Sequence, residues 1–473
     1  MQHGVRIGFK RAWVRVMALD AARMTEELEA LQRCANGASE ELGVLQAAAA
    51  AARDDRRSLH AFALAAGDNE FAPWSAGIAS VLQRLAHWQQ GDLQRFHAAR
   101  RPAGDTRSAD CSVSAFDRAL DAAVELQQLR FAVAAKLARE STDLAANAKP
   151  RSAARRFGEV LQAQVLYEQG ELLQAESLLR DYFQAVRSAA CADVAIMFYV
   201  LVARIAIDQH KGDLAMFVLR DGIALAEARG WPRMSAACWQ ELIDLLVGME
   251  HLEEAERSVA LLRSRWSDTD DVALQTALLH MQCRVQVAAG DAADALSGLL
   301  RLRESAEARG DEYACAKLDL RRVEALDACG RSEEAHAILM KVLEVGCRAG
   351  LYQSIISAGP AIHRLLQEVM FSLNSDANDR AFLQPYVSSL VNAPRQPDAM
   401  RRVQRTTKLR GPLSNREQAI LLLMRHGSSN KLIARRLGIA PETVKSHAKR
   451  IYGKLGAQSR LEAVTKATSL SLI

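Results

Sequence analysis

The sequence predicts an all-α protein, in which a long solenoid of helical hairpins is followed by a small four-helix domain of the helix-turn-helix kind. Three observations predict it. Proline is scarce, at 10 in 473 residues, and Pro232 stands alone between Arg151 and Gly359. Ala, Leu, Glu and Arg dominate instead, which favours helix nearly throughout. Short turn signals recur about every forty residues through the middle of the chain. Finally, the last sixty or so residues break into short apolar stripes at helical spacing, bounded by capping residues.

Residues 1–74 read as a helical N-terminal segment, including the six alanines Ala47 to Ala52, with no clear repeat. The solenoid is expected over 75–373. Its turn signals are Gln169-Gly170-Glu171, Lys211-Gly212-Asp213, Met249-Glu250-His251, Ala289-Gly290-Asp291 and Cys329-Gly330-Arg331, with a similar string at Gln90-Gly91-Asp92-Leu93. Anchored on 170, 212, 250, 290 and 330, the spacings are 42, 38, 40 and 40. A period near forty is the mark of a helical repeat array. Leu172, Ala175, Leu179, Tyr182 and Val186 follow the first anchor, and Ala292, Ala295, Leu299, Leu302 and Ala306 repeat the pattern after Gly290. Steps of three and four place these side chains on one helix stripe. The Gly212 unit fits loosely, with Phe217 where a small residue is expected. A single hairpin cannot bury its apolar face, so the units must stack. The architecture is tetratricopeptide-like, and its concave surface is expected to receive a small-molecule or protein effector of unknown identity.

Residues 374–411 read as a linker, opening on Asn374-Ser375-Asp376-Ala377-Asn378-Asp379. Its Arg401, Arg402, Arg405 and Arg410 either keep it solvated or add phosphate contacts. Charge then divides the chain sharply. From Arg401 onward there are 16 Lys or Arg against three acids (Glu417, Glu442, Glu462), whereas the first 400 residues carry a net of −8. A basic segment on an acidic body is the footprint of a nucleic-acid binder. The eight cysteines include no CxxC pair, which suits reduced thiols in a cytoplasmic protein better than a disulfide framework or a metal site. The longest apolar run, Met197 to Ile207, is too short to span a bilayer, and no signal peptide is expected.

The domain at 412–473 carries the chemistry. Ser414 with Glu417 forms a capping box that opens a helix with Ile420, Leu421 and Met424 on one face, closing at Gly427. Ser429 caps a second helix that buries Ile433, Ala434 and Leu437. After the turn Gly438-Ile439-Ala440, Pro441 starts the third helix, where its missing N–H is harmless. Ser459 with Glu462 opens a fourth. In the third helix Val444, Ala448, Ile451 and Leu455 form a buried stripe, while Lys445, Lys449 and Tyr452 lie on an adjacent one with Ser446 beside them. A lysine in the major groove donates to guanine O6 and N7. Asn430, Lys431, Thr443, Lys454, Ser459 and Arg460 sit at helix ends or flanks, where donors and helix dipoles meet phosphate oxygens. His447 reads as a packed residue.

This stretch resembles the LuxR-type helix-turn-helix along its whole length. The shared pieces are Leu413 with Arg416-Glu417, Ser429-Asn430-Lys431, Ile433 to Ile439, Thr443-Val444-Lys445 with His447, Lys454-Leu455-Gly456, Ser459-Arg460 and Glu462-Ala463-Val464. The resemblance implies that the third helix enters the major groove and the fourth forms a dimer contact, with base contacts falling on Lys445, Ser446 and Lys449. Three positions depart from the pattern: Ala440 replaces a capping Ser, Leu432 an acid, and Gly453 interrupts the recognition helix. The solenoid, the string ARGWPR at Ala228–Arg233, the segment Gly350–Leu366 and the tail also look like the maltose-regulon-activator-like subgroup of large ATP-dependent LuxR-type regulators. Those carry a nucleotide-binding module. Here no GxxxxGK[ST] occurs and residues 1–75 are too few for one, so the expectation is a chain without it.

Other classes compete. An enzyme would need a motif, and none is found beyond a single ExxH at Glu333 and His336, so neither catalytic residues, cofactor nor metal is expected. A scaffold with a vestigial basic domain is a third class, and a σ-factor region-4-like domain a nearer rival. The reading that joins all these features is a bacterial, cytoplasmic, sequence-specific transcriptional regulator. Its partners would be double-stranded DNA, bound as a homodimer, and RNA polymerase as a further candidate, with no membrane.

Overall fold

A computed structural model describes residues 40–66, 73–102, 108–146, 153–180, 182–183, 186, 191–375, 380–393 and 440–455, together with 417, 420, 421, 424, 430, 433, 434, 463 and 467. Among these residues the secondary structure is helical, without strands. Two compact units are present, residues 1–205 with 221–393 and residues 206–220 with 394–473.

Eight helical hairpins follow one another among the described residues. They are α1 (Glu40–Ala52) with α2 (Arg56–Ala66), α3 (Pro73–Gln90) with α4 (Leu93–Ala98), α5 (Ser108–Gln127) with α6 (Phe131–Ala146), and α7 (Ala153–Glu168) with α8 (Leu172–Leu179). Then come α9 (Ala192–Asp208) with α10 (Gly212–Arg229), α11 (Pro232–Gly248) with α12 (Leu252–Arg265), α13 (Val272–Ala289) with α14 (Ala292–Ala308), and α15 (Glu312–Ala328) with α16 (Ser332–Ala349). Beyond them lie α17 (Gln353–Ile356), α18 (Pro360–Ser375), a 3-10 turn at Ala381–Leu383 and α19 (Gln384–Val391).

The turns obey a stricter period than the sequence signals suggested. Gly170, His210, Glu250, Gly290 and Gly330 all adopt positive φ, at 83°, 61°, 63°, 96° and 73°, and each is forty residues from the next. The expected anchor Gly212 is therefore not the turn residue; it is the first residue of α10. His210 makes the left-handed turn, a conformation in which His is enriched among non-glycine residues. With the register moved by two, the small-residue position falls on Ala215 instead of Phe217. Ala175, Ala215, Ala255, Ala295 and Ala335 are all 0% exposed, while Phe217 is 49% exposed. A hairpin also stands at 40–66, ahead of the expected start of the repeats at 75, with Asp54 (φ 59°) at its turn.

One apolar cluster runs from Val44 through Val165 and continues into Ala316 to Leu390. The early hairpins thus pack against the late ones: α5 meets α15, and α7 meets α17. Two polar clasps mark this closure. The fully buried Glu168 carboxylate accepts from the Tyr313 hydroxyl and from Ser354 Oγ at 2.7 Å, and its carbonyl accepts from Tyr352 N at 3.0 Å. At the other clasp, Trp231 Nε1 donates to Ala52 O at 2.8 Å, while Arg233 donates to Asp54 at 2.6 Å and to Asp193 at 2.8 Å. Burial pushes Asp54 above the usual carboxylate range despite Arg233. Burial also works against ionised Asp193, yet Arg233 and Gln89 hold it below that range.

A second forty-residue pattern was not read from the sequence. Arg204, Asp244, Arg284 and Glu324 alternate in sign at equivalent places on α9, α11, α13 and α15. Arg204 Nε donates to Glu241 at 3.0 Å. Arg284 lies 3.0 Å from Asp244 and 3.0 Å from Glu324, and Arg321 closes a square at 3.0 Å from Asp244 and 3.2 Å from Glu324. Arg284 is thus partnered by an acid on the repeat before it and another on the repeat after it, and Arg204 by Glu241 of the next, so these charges are compensated between successive first helices.

Candidate nucleic-acid interface

The C-terminal unit is built around α20 (Pro441–Leu455). Pro441 is its first residue, and Thr443 N and Val444 N donate to Ala440 O at 3.0 and 3.2 Å. Val444, Ala448 and Ile451 are buried together with Ile420, Leu421, Met424, Ile433, Ala434, Ala463 and Ala467 in one small core. Three residues of the apolar stripe read from the sequence, Val444, Ala448 and Ile451, are thus on the packed face. Leu437 lies outside the described residues.

Fixing one face of α20 inward leaves the opposite face to solvent. At 100° per residue, Glu442, Ser446, Lys449 and Gly453 fall within about 60° of one another, diametrically opposite Val444 and Ile451. Lys445 and Tyr452 flank this line on one side, Thr443 and Arg450 on the other. Glu442, Thr443, Lys445, Ser446, Lys449 and Arg450 are all exposed, and Tyr452 is half-buried against the core. The three expected base readers, Lys445, Ser446 and Lys449, are therefore brought together on one solvent-facing surface. Sequence reasoning missed two residues there. Arg450 is one and Glu442 the other; helical spacing from Lys449 and Ser446 would have found both.

The expected phosphate contacts divide. Thr443 is exposed in the first turn, and Asn430 is helical and half-buried. Lys454 is half-buried, with Nζ 2.7 Å from the Glu417 carboxylate, whose side chain is 5% exposed. That lysine serves as the counter-ion of a buried acid. Lys431, Ser459 and Arg460 lie outside the described residues, as does Ser414 of the capping box. His447 is half-buried, in keeping with a packed residue. Lys445 Nζ lies 2.8 Å from Glu442 Oε1.

Gly453 has no packing reason to be glycine, since a Cβ there would meet nothing within 4 Å. Gly453→Ala is expected to stabilise this unit by about 0.5–1 kcal/mol through the lower entropy of the unfolded chain. Its melting temperature should rise; an unchanged or lower value would contradict the open surroundings.

Among the described residues no helix is long and apolar enough to cross a membrane, and no cluster of His, Cys, Asp and Glu is placed to hold a metal.

Comparison with known proteins assigns both parts. Residues 40–371 match the MalT-like TPR region. The chain belongs to the MalT-like TPR family. Residues 411–467 match a second family, the bacterial regulatory proteins of the luxR family. The MalT-like TPR region thus precedes the luxR-family domain along the chain. The HTH-type transcriptional regulator MalT of Vibrio parahaemolyticus is 29% identical over 157 residues, covering 29% of this chain and 16% of that protein. MalT of Cronobacter sakazakii is 29% identical over 161 residues, covering 30% of this chain and 17% of its own. The match thus spans about one-sixth of the length of these relatives. The MalT-like TPR fold is also similar to the crystal structure of a Rap protein complexed with competence and sporulation factor, with a TM-score of 0.57 at 10% identity, covering 73% of this chain and 99% of that one.

Proposed function

We propose that this protein binds promoter DNA sequence-specifically through its C-terminal domain, under the control of a signal received by its helical-repeat domain. The observation that carries the reading is the exposed face of α20, which aligns Ser446 and Lys449 with Lys445 beside them, opposite the packed Val444, Ala448 and Ile451. A helix anchored in this way enters the major groove with its N-terminal residues at base edges. Lys445, Ser446 and Lys449 are the proposed base contacts. Asn430, Lys431, Thr443, Ser459 and Arg460 are the proposed phosphate contacts, with Lys454 dividing its charge between phosphate and Glu417. The net charge of +13 from Arg401 onward supplies non-specific attraction. The repeat domain would take an effector, small molecule or protein; the solved repeat structure of similar fold is itself a complex with a factor. DNA is bound as a homodimer on half-sites about one helical turn apart, RNA polymerase is a further partner, and the site of action is the cytoplasm.

Lys449→Ala is expected to cost roughly 1–3 kcal/mol at one base pair and to relax preference there, whereas Lys431→Ala weakens all sequences alike and flattens the salt slope by about one unit. Sequence selection from a randomised duplex library at physiological salt reads the first, and affinity for one fixed duplex across a series of salt concentrations reads the second. Absence of any sequence preference in the wild type would leave the scaffold reading in possession, with the repeats as the working part.

A further inference from the structure

We infer that Glu442 is a specificity-determining residue, accepting the exocyclic amino group of cytosine at one position of the operator. The inference rests on the proposal that α20 reads DNA. Three acids stand in the basic segment after Arg401. Glu417 is internal, buried and paired with Lys454. Glu462 lies outside the described residues. Glu442 alone of the described acids stands on the solvent-facing side of the recognition helix, with its side chain 79% exposed.

A carboxylate on a surface meant for a polyanion opposes binding to every sequence. It is favourable only where it meets a donor, and the major-groove donors are the amino groups of cytosine and adenine; Glu and Asp take that of cytosine. The placement fits such a contact. Glu442 is the second residue of α20, in the turn that a docked recognition helix brings to base edges, and it leads the line continued by Ser446 and Lys449. Its partner completes the chemistry. Lys445 Nζ sits 2.8 Å from Glu442 Oε1, so the acid holds the ammonium at the groove-facing end of the helix. A carboxylate and an ammonium side by side match the donor of cytosine and the acceptors of guanine, and the pair selects G·C where a lysine alone would accept any acceptor-rich edge.

A structural alternative is that an acid in the first turn merely complements the helix dipole. The two differ in what a substitution does. Sequence selection from randomised duplex DNA, using the full chain as wild type, Glu442→Ala and Glu442→Gln, separates them. The wild type is expected to select cytosine at one position by about 5- to 150-fold over other bases. Glu442→Ala should lose that preference, keep the others and bind random DNA more tightly than wild type. Glu442→Gln should move the preference to adenine, whose N6 and N7 suit the amide. A preference unchanged in both variants, or an equal fall at all positions, would overturn the assignment and leave Glu442 as a helix-terminal charge. If the wild type selects no sequence, the DNA-reading proposal itself falls, which the other outcomes do not imply.

Discussion

Arg233→Met is expected to remove about 3–5 kcal/mol from the stability of the repeat domain, the cost of taking one partner from a buried ion pair. The arginine lies between Asp54 and Asp193, whose side chains are 0% and 5% exposed, so the substitution leaves two carboxylates in the interior facing each other. The loss should depend on pH with a definite sign. Asp193 is held below its ordinary pKa in the wild type, so its contribution is present above about pH 4 and fades as the pH falls through the lowered value. In the variant both acids lose the guanidinium that hydrogen-bonds them, with only the more weakly acting Arg56 left nearby, and their pKa values rise, so acidification neutralises them and relieves the penalty. Urea melts at pH 7 and pH 5 should therefore show a smaller gap between variant and wild type at the lower pH. A gap that is constant or widens would mean that Arg233 acts through packing and not through charge.

Ile451→Ala is expected to cost roughly 2–5 kcal/mol, the range for truncating a buried aliphatic side chain. Ile451 is fully buried in the small core of the C-terminal unit. A domain of about sixty residues has only about 3–9 kcal/mol in total at the usual stability per residue. The change should therefore unfold much of that domain near physiological temperature while the repeats stay folded. In calorimetry the transition belonging to the DNA-binding domain should drop or vanish, the repeat transition should hold, and DNA affinity should fall with the first. Loss of both transitions together would show that the two units melt as one.

How much could be read beforehand follows from where each signal resides. The DNA-binding domain was legible because its elements are local: Pro441 starts a helix, and Val444, Ala448 and Ile451 repeat at helical steps. The turns at Gly170, Gly290 and Gly330 were legible for the same reason, since glycine advertises a positive φ. His210 and Leu129 make the same turn without glycine, and Gly212, two residues past the true turn, displaced the register. The charge alternation at Arg204, Asp244, Arg284 and Glu324 is periodic too, but at a spacing that only a correct register exposes. Non-local pairings had no sequence signal at all. Nothing adjacent to Glu168 announces Tyr313 or Ser354, and nothing near Lys454 points to Glu417. In the latter case a cation suited by type and position to a phosphate was already committed to an acid 37 residues earlier. Glu442 gives no cationic signal in the sequence, although it lies on the same helical line as Ser446 and Lys449.

The clasps at Glu168 and Trp231 bear on how the chain folds. Open repeat arrays behave as one-dimensional chains: each unit touches its neighbours, folding can nucleate anywhere, and the ends fray first. Here hydrogen bonds join residues 145, 179 and 186 positions apart. Those pairings cannot form until the intervening hairpins are in place, so the loop-closure entropy comes due late and the final step is slow. Once formed, they tie the first hairpin to the sixth and the fourth to the eighth, so these described repeats are held by more than their sequence neighbours.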